Sequence, residues 1–229
     1  DEEDVLTYTW EQVDSGTTTS SNFGPTKTSG AVWRSRPPST NPTRYMPARA
    51  RVLSGELTET NPQETDDNTS WETVSTVGRA LNFALTVRDR SETNGVGQFP
   101  QSDFDLMTVT VDGNSGPFAV TSQTTNETWN VGESQTVTWD VAGTDTGSVN
   151  TQTVNIRMSV DGGLTFPYVL ATAVTNDGSH DVNIPVFGGD TSTARIMVEG
   201  NNNIFYAVNS ININIQESEF VIIAVTSSV

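Results

Sequence analysis

The sequence predicts an all-β protein made of two tandem immunoglobulin-like antiparallel β-sandwich domains. Three observations lead to this prediction. Apolar residues alternate with polar ones at a period of two in most of the apolar segments, as in the strands of a sheet with one buried face. No segment of helical length shows a convincing period of 3.6 residues. Threonine, serine and asparagine supply most of the polarity, and these residues favour strands and turns over helices.

The first half contains three clear strand segments, near residues 5–11, 79–89 and 104–112. In the first of them Leu6, Tyr8 and Trp10 alternate with polar residues. Residues 14–70, between the first two segments, are rich in Thr, Ser, Pro, Asn and Gly, and such a stretch is long for a structureless loop inside a compact domain. We therefore predict a long irregular excursion that either wraps the sandwich in an ordered way or contains short strands.

The second half carries seven or eight strand segments in about 100 residues, which is the density of an immunoglobulin-like sandwich. Val137, Trp139 and Val141 alternate with polar residues, and residues 154–160 and 211–215 show the same pattern. A turn-rich stretch at 112–117 separates the two halves. The predicted organisation is therefore a domain of residues 1–113, a domain of residues 114–218, and a tail of residues 219–229.

Charge and residue counts exclude several classes of function. The 229 residues carry a net charge of -17, which disfavours nucleic acid and anionic membranes as partners because their phosphates would be repelled. Cysteine is absent and histidine occurs once, so thiol nucleophiles, thiolate metal sites and multi-histidine metal centres are excluded. No run of about 18 apolar residues exists, so the sequence predicts no transmembrane segment.

The residues available for catalysis favour a non-catalytic chain. His180 stands between Ser179 and Asp181, but neighbouring residues in a strand face opposite sides, so the three cannot easily form a catalytic triad. A glycosidase, the weakest alternative, needs a pair of carboxylates, and no pair among the 28 acidic residues stands out. We therefore predict no catalytic residue and no cofactor-binding residue in this chain.

Two groups of charged residues are candidate sites. If the first two strands pair, Asp4 and Asp89 would meet at one end of the sandwich and could bind calcium, which takes carboxylate oxygens from nearby loops. The alternative is that both are solvated strand ends. Five arginines lie between residues 34 and 51 and are interleaved with prolines. The acidity of the chain argues against a nucleic-acid patch here, so we expect these arginines to form ion pairs that fix the excursion.

The tryptophans divide into core candidates and ligand candidates. Trp10 and Trp139 lie on the apolar faces of alternating segments, so we predict that both are core residues. Trp33 and Trp71 lie in polar, loop-like stretches and are the better candidates for binding a ligand, with burial in a local core as the alternative.

Residues 159–166, with the sequence SVDGGLTF, fit the pattern S-x-D-x-G-x-T-[WF]. This pattern resembles the Asp box, a β-hairpin device of sialidase propellers and other secreted β-proteins. We expect Asp161 to accept hydrogen bonds from the turn, Gly163 to supply a positive φ, and Phe166 to plug the core below. The motif is therefore predicted to stabilise a turn and not to catalyse a reaction.

Nine short segments form a set along the chain. They are residues 6–12 (LTYTWEQ), 43–47 (TRYMP), 79–83 (RALNF), 85–89 (LTVRD), 116–118 (GPF), 137–144 (VTWDVAGT), 159–166 (SVDGGLTF), 176–178 (NDG) and 194–198 (ARIMV). In this order and spacing they resemble the region downstream of the catalytic domain in secreted bacterial reprolysin-like zinc metallopeptidases. The resemblance covers most of residues 4–215.

The resemblance implies secretion and tandem β-sandwich accessory domains. The catalytic zinc motif of that family lies upstream and has no counterpart here, so zinc is expected only in the catalytic domain of a parent protein. The first domain also resembles PKD-type or cadherin-like modules, some of which bind calcium. One or two strands precede the L-T-Y-x-W strand in such modules, so this domain is expected to be truncated at its N-terminus.

The predicted function follows from the resemblance and from the missing catalytic groups. The chain is expected to hold a secreted zinc metallopeptidase at an extracellular protein, polysaccharide or cell-surface target, or to space the protease from it. The alternative is an independent extracellular adhesin or carbohydrate-binding module. We expect an extracellular or cell-surface location in either case.

Overall fold

The computed structural model describes residues 5–63, 69–89 and 101–217, and it confirms the all-β class. The chain divides into two compact units, Asp1–Ser115 and Gly116–Val229, and this division falls two residues after the boundary expected from the sequence. Within the described residues, one α-helix of six residues and one 3-10 helix of three residues interrupt the strands. None of the described helices is long and apolar enough to cross a membrane.

The first unit is built on a three-stranded antiparallel sheet. Its strands are β1 (Leu6–Gln12), β2 (Arg79–Asp89) and β3 (Ser102–Val111), and β2 is the central strand. The 3-10 helix Ser20–Asn22 and the α-helix α1 (Arg49–Ser54) both lie between β1 and β2. Alternate residues of β2 point to one face, and Leu81 and Phe83 are buried there.

The segment between β1 and β2 is an ordered excursion wherever the structure describes it. Its side chains and those of β2 form one buried cluster, which contains Phe23, Val32, Trp33, Leu81 and Phe83. Backbone hydrogen bonds fasten the excursion to the sheet, because Tyr8 and Ser39 each donate an N–H to the other's carbonyl, at 2.8 and 3.0 Å. The long polar stretch is therefore held by packing and by hydrogen bonds to β1.

Strand β3 forms an exposed edge of this sheet among the described residues. Phe104 and Leu106 are 64% and 63% exposed. Their backbone N–H groups donate to the carboxylates of the preceding residues, Asp103 and Asp105, each at 2.8 Å. Two of the edge donors are thus satisfied by side chains of the same strand.

The second unit contains nine strands within the described residues. In chain order they are β4 (Ala119–Val120), β5 (Thr128–Asn130), β6 (Ser134–Asp140), β7 (Thr153–Ser159), β8 (Tyr168–Thr175), β9 (Ser179–Asn183), β10 (Thr191–Gly200), β11 (Tyr206–Val208) and β12 (Ile213–Gln216). A six-stranded sheet has the order β5-β12-β10-β7-β8, with β11 paired to β10, and a three-stranded sheet has the order β4-β6-β9. The pair β5–β12 is parallel, and the other pairs are antiparallel.

The core of the second unit takes side chains from both sheets, as in a β-sandwich. Trp139 of β6 is 4% exposed and belongs to the same cluster as Ile156 of β7. The Trp139 indole Nε1 donates to Asn176 Oδ1 at 2.8 Å. Asn176 Nδ2 in turn donates to Thr144 Oγ1 and to the Thr151 carbonyl, both at 3.0 Å. The alternation that predicts Trp139 as a core residue is thus matched by its burial, and its polar atom is paired.

The turn between β7 and β8 is held by the carboxylate of Asp161. Its Oδ1 accepts hydrogen bonds from Ser159 Oγ at 2.6 Å and from the Thr165 N–H at 2.9 Å, and its Oδ2 accepts from Thr165 Oγ1 at 2.6 Å. Gly163 has a φ of 92°, which favours glycine, and its N–H donates to Ser159 Oγ at 2.8 Å. Hydrogen bonds to two side chains therefore define this turn.

Phe166 does not occupy the core position expected from the motif. It is half-buried and lies outside the hydrophobic cluster of the described residues. Tyr168 packs against that cluster instead, and its ring meets Phe187 edge-on with centroids 6.0 Å apart. Because β8 begins at Tyr168, Phe166 still belongs to the turn, and the first aromatic side chain to reach the core is two residues further on.

We expect the turn to lose stability in acid. Burial raises the pKa of the Asp161 carboxyl group, but hydrogen bonds from Ser159 and Thr165 outweigh it and lower the pKa from 3.8 to about 2. A carboxyl group with a lowered folded-state pKa stabilises the fold above its unfolded pKa, and this contribution is lost as the pH falls from about 4 to about 2. Urea denaturation should show a steeper loss of unfolding free energy over this window for wild type than for Asp161→Asn. Equal slopes would contradict the prediction.

Candidate functional site

The two tryptophans expected to bind a ligand line one cavity of about 220 Å³ in the first unit, which we call the aromatic cavity. Trp33 is 6% exposed and belongs to the buried cluster, so it serves mainly as a core residue. Trp71 is half-buried, and its ring meets Phe23 edge-on with centroids 5.3 Å apart. Thr18 and Arg34 add polar groups to the lining. Three of the six lining residues are therefore aromatic, and two carry polar side chains.

The backbone of Trp71 has a conformation that bulky residues rarely adopt. Its φ is 65°, in the left-handed region. The N–H groups of Trp71 and Glu72 both donate to Glu59 Oε2, at 2.7 and 3.2 Å, and the Arg34 N–H donates to the Trp71 carbonyl at 3.1 Å. Such strained residues persist where the surrounding structure holds them, and they concentrate at binding sites. The Glu59 carboxylate thus fixes Trp71 at the cavity.

Glu72 is a fully buried carboxylate that joins separate parts of the excursion. It is 0% exposed, and its Oε1 accepts hydrogen bonds from Arg36 Nε and Arg44 Nη2, both at 2.8 Å. Its Oε2 accepts from the Ala48 N–H at 2.7 Å. Burial lowers the pKa of the Arg44 guanidinium and Glu72 opposes that shift, but an arginine remains charged in a protein. One carboxylate therefore pairs with two partly buried cations.

Of the five arginines of residues 34–51, Arg36, Arg44 and Arg51 form the expected ion pairs within the excursion. Besides the two arginines on Glu72, Arg51 Nη1 lies 3.6 Å from Glu59 Oε2, the oxygen that holds Trp71. Arg51 is 8% exposed and also donates to the Glu56 carbonyl at 3.1 Å. These contacts link the positions of Glu59 and Trp71 to α1.

A second cavity, of about 230 Å³, lies between β1 and residues 36–49. We call it the arginine groove. Three arginines and three aromatic residues line it: Arg36, Arg44, Arg49, Tyr8, Trp10 and Tyr45. Trp10, expected to be a core residue, is half-buried, so it packs against the cluster and also lines this groove. Hydroxyl and amide side chains, together with Pro37 and Ala48, complete the lining, and none of the described lining residues is acidic.

Calcium binding by Asp4 and Asp89 stays a prediction. Asp4 lies outside the described residues, and Asp89 is the last residue of β2, where it pairs with Leu6 of β1. Within residues 5–63, 69–89 and 101–217, no three His, Cys, Asp or Glu residues come together in an arrangement that could hold a metal ion. The arrangement of the described residues therefore adds no support for a metal centre.

His180 is the second residue of the short strand β9, between Ser179 and Asp181. The Asp181 carboxylate accepts a hydrogen bond from Thr136 Oγ1 at 2.6 Å. The Ser179 N–H donates to Asp177 Oδ1 at 3.4 Å. Asp181 is thus engaged by the neighbouring strand β6, and nothing in this arrangement orients a histidine base toward a serine.

The sequence analysis did not identify Glu59 and Glu72, although their carboxylates accept hydrogen bonds from residues that line the two cavities. The signal that could have found them was the run of arginines, because a charge buried by an ordered segment is paired as a rule. The sequence does not say which of the 28 acidic residues those partners are. Only the folded backbone brings Glu72 to Arg36 and Arg44.

Comparison with known proteins assigns no family to the chain. Neither a protein-family model nor a curated protein sequence matches it. The resemblance to the metallopeptidase region therefore depends on the nine sequence segments alone.

Proposed function

We propose that the chain is a non-catalytic accessory region that binds an extracellular target for a secreted zinc metallopeptidase. The observation that carries the binding role is the aromatic cavity, where Glu59 holds Trp71 in a left-handed conformation. Ligand pockets are typically lined by aromatic side chains with a few placed polar groups, as here. The set of nine segments supports the metallopeptidase parent, and the zinc belongs to its catalytic domain.

The size of the aromatic cavity limits what it can accept. Its volume is about 220 Å³, whereas pockets for drug-sized molecules measure about 300–1,000 Å³. The cavity therefore suits one sugar ring or one side chain of a larger polymer. A weak contact of this kind is sufficient for an accessory domain, because linkage to a catalytic domain raises the effective concentration of that domain at the target.

An independent adhesin or carbohydrate-binding module is the second candidate function. The aromatic cavity supports it equally, because binding there does not require a protease. The gene that encodes the chain distinguishes the two. An HExxH zinc motif encoded upstream in the same reading frame supports the metallopeptidase parent, and an open reading frame without it supports the adhesin.

Binding to a glycan and protein array should depend on Trp71. We expect Trp71→Gly to bind the captured target at least about tenfold more weakly, a loss of about 1.4 kcal/mol or more. Glycine accepts the left-handed φ of this position, so the ring is removed without adding backbone strain. Ala31→Phe, which fills the cavity and keeps Trp71, should weaken binding as well.

The matched control is Phe104→Ala, which removes an exposed aromatic ring of the same unit outside the cavity. It should bind like wild type. Circular dichroism and melting temperature establish that each variant is folded. The aromatic cavity is not the site if folded Trp71→Gly and Ala31→Phe both bind the target like wild type.

A further inference from the structure

We propose that the arginine groove binds a hexuronic acid residue of an anionic polysaccharide. The arginines recognise the carboxylate, and the aromatic and hydroxyl groups contact the sugar ring. This inference rests on the proposed binding role of the first unit, but it uses a different cavity, so the two can fail separately. Charge, hydrogen-bonding capacity and the shape of the groove each contribute to it.

The groove is locally basic in a strongly acidic chain. Three arginines line it, and none of its described lining residues is acidic, although the chain carries a net charge of -17. The Glu72 carboxylate is shared by Arg36 and Arg44. Glu72 carries one negative charge and the two arginines carry two positive charges, so the three side chains together have a net charge of +1. This positive charge attracts an anion into the groove.

Two N–H groups of the same arginines lack an acceptor. Among the described residues, Arg36 Nη2 and Arg44 Nε are buried and make no hydrogen bond. Buried unpaired donors are unfavourable, so an incoming oxygen that reaches one of them gains more than it would on the surface. The Arg36 side chain keeps 22% of its surface exposed, so part of it is accessible to a ligand in the groove. A carboxylate matches the planar guanidinium with two oxygens.

Aromatic rings form the second part of the groove, and two of them are already fixed in place. Trp10 Nε1 donates to the Pro42 carbonyl at 2.7 Å. The Arg49 guanidinium carbon lies 3.9 Å from the centre of the Tyr45 ring. Because these rings are held before a ligand arrives, less entropy is lost on binding. Their apolar faces suit the C–H groups of a sugar ring.

The turn at residues 39–43 provides a neutral rim that is also fixed in place. The Asn41 N–H donates to Ser39 Oγ at 3.0 Å, and the Thr43 N–H donates to Asn41 Oδ1 at 2.9 Å. The Ser39 backbone is joined to Tyr8 of β1, as described above. Hydroxyl and amide side chains can both donate and accept hydrogen bonds, which is what sugar hydroxyl groups require.

A hexuronic acid residue is the ligand class that uses all of these features. Phosphate, or an acidic side chain of a peptide, would use the arginines but leave the aromatic rings and the neutral rim without partners. The volume of about 230 Å³ also fits a single ring better than a long side chain or a whole oligomer. The remaining sugars of a polysaccharide would extend out of the groove.

Isothermal titration calorimetry with tetragalacturonate tests the proposal. The buffer contains sodium chloride at about 0.15 M, where the Debye length is about 8 Å and long-range repulsion by the acidic chain is screened. We expect the acid to bind at least about tenfold more tightly than its fully methyl-esterified form, which keeps the ring and loses the charge. Arg36→Gln and Arg49→Gln should each weaken binding of the acid by about tenfold or more.

The charge-matched control is Arg157→Gln in the second unit, where Arg157 pairs with Glu199 at 2.6 Å, and it should bind like wild type. If Arg36→Gln fails to fold, Arg49→Gln still tests the groove, because it leaves the hydrogen bonds to Glu72 in place. Folding is checked by melting temperature. Unchanged affinity of folded Arg49→Gln, or equal binding of the acid and its ester, would refute the proposal.

Competition experiments separate sugar recognition from simple anion binding. Inorganic phosphate or a glutamate-rich peptide, added at the same concentration of negative charge, should not displace tetragalacturonate. Displacement by either would overturn the assignment to a carboxylated sugar. If the array experiment fails while the groove binds the tetramer, only the aromatic cavity is refuted, and the reverse result refutes only the groove.

Discussion

Glu72→Ala should destabilise the first unit by about 3–5 kcal/mol, the range for removal of one partner of a buried ion pair. The substitution leaves the guanidinium groups of Arg36 and Arg44 without their carboxylate and removes the acceptor of the Ala48 N–H. Glu72→Gln should destabilise the unit less than Glu72→Ala, because the amide oxygen keeps one hydrogen-bond acceptor. Hydrogen exchange in urea, followed by mass spectrometry on a peptide covering β2, measures the effect on this unit.

The control for this prediction is Glu56→Ala, which removes an exposed carboxylate from the same excursion. Its expected effect is within about 0.5 kcal/mol. A Glu72→Ala protein as stable as the control would mean that the two arginines find other acceptors, and that the hydrogen bonds to Glu72 do not hold the excursion.

Trp139→Ala should destabilise the second unit by about 3–5 kcal/mol, as expected when a fully buried aromatic ring is removed. The ring is 4% exposed, so its loss opens a cavity in the centre of the sandwich. The substitution also removes the donor that satisfies Asn176 Oδ1. Hydrogen exchange of peptides covering β7 and β10 reports on this unit, because both strands belong to the same core.

Two further variants show which part of the effect comes from packing. Trp139→Phe keeps an aromatic ring but loses the N–H, so it should lower the free energy of unfolding by less than Trp139→Ala. Phe166→Ala should cost no more than about 1–2 kcal/mol, because this ring is half-buried and outside the cluster. A larger loss of stability for Phe166→Ala than for Trp139→Ala would show that Phe166 is the core residue expected from the motif.

Period-two alternation predicted the buried face correctly in β2 and β6 but not in β1, where Leu6 is exposed and the polar residues Thr7 and Thr9 are buried. In β2, Leu81 and Phe83 alternate with less buried residues, and in β6 Val137 and Trp139 do the same. Such a pattern is local, because successive side chains of a strand point to opposite faces. The Asp161 turn was also predictable in part, since its hydrogen-bonding residues lie within seven positions of one another.

The excursion could not be derived in the same way, because its contacts join distant residues without a repeat. Gln12 Oε1 accepts hydrogen bonds from the N–H groups of Val32 and Trp33, at 2.7 and 3.0 Å. Asp14 Oδ2 accepts from the Asn82 N–H at 3.0 Å. Side chains here replace the strand partners that a sheet would supply, and the sequence shows no periodic sign of such pairings.

The candidate sites were predictable only as individual residues. Trp71 was identified because an aromatic residue in a polar stretch is unusual, but its shared cavity with Phe23 depends on the folded excursion. The arginine groove was hidden for a related reason. Tyr8 and Trp10 come from a strand, whereas Arg36 and Tyr45 come from the excursion, and only the hydrogen bonds between the two segments bring them together.

The two aspartates of β3 affect how the chain behaves at high concentration. An exposed apolar strand edge, such as that formed by Phe104 and Leu106, can recruit a strand from another molecule and start aggregation. The carboxylates of Asp103 and Asp105 already accept the N–H groups that such a strand would need. They also present negative charge to any second copy of this acidic chain. The edge is therefore protected against strand-by-strand self-association while its apolar side chains remain exposed.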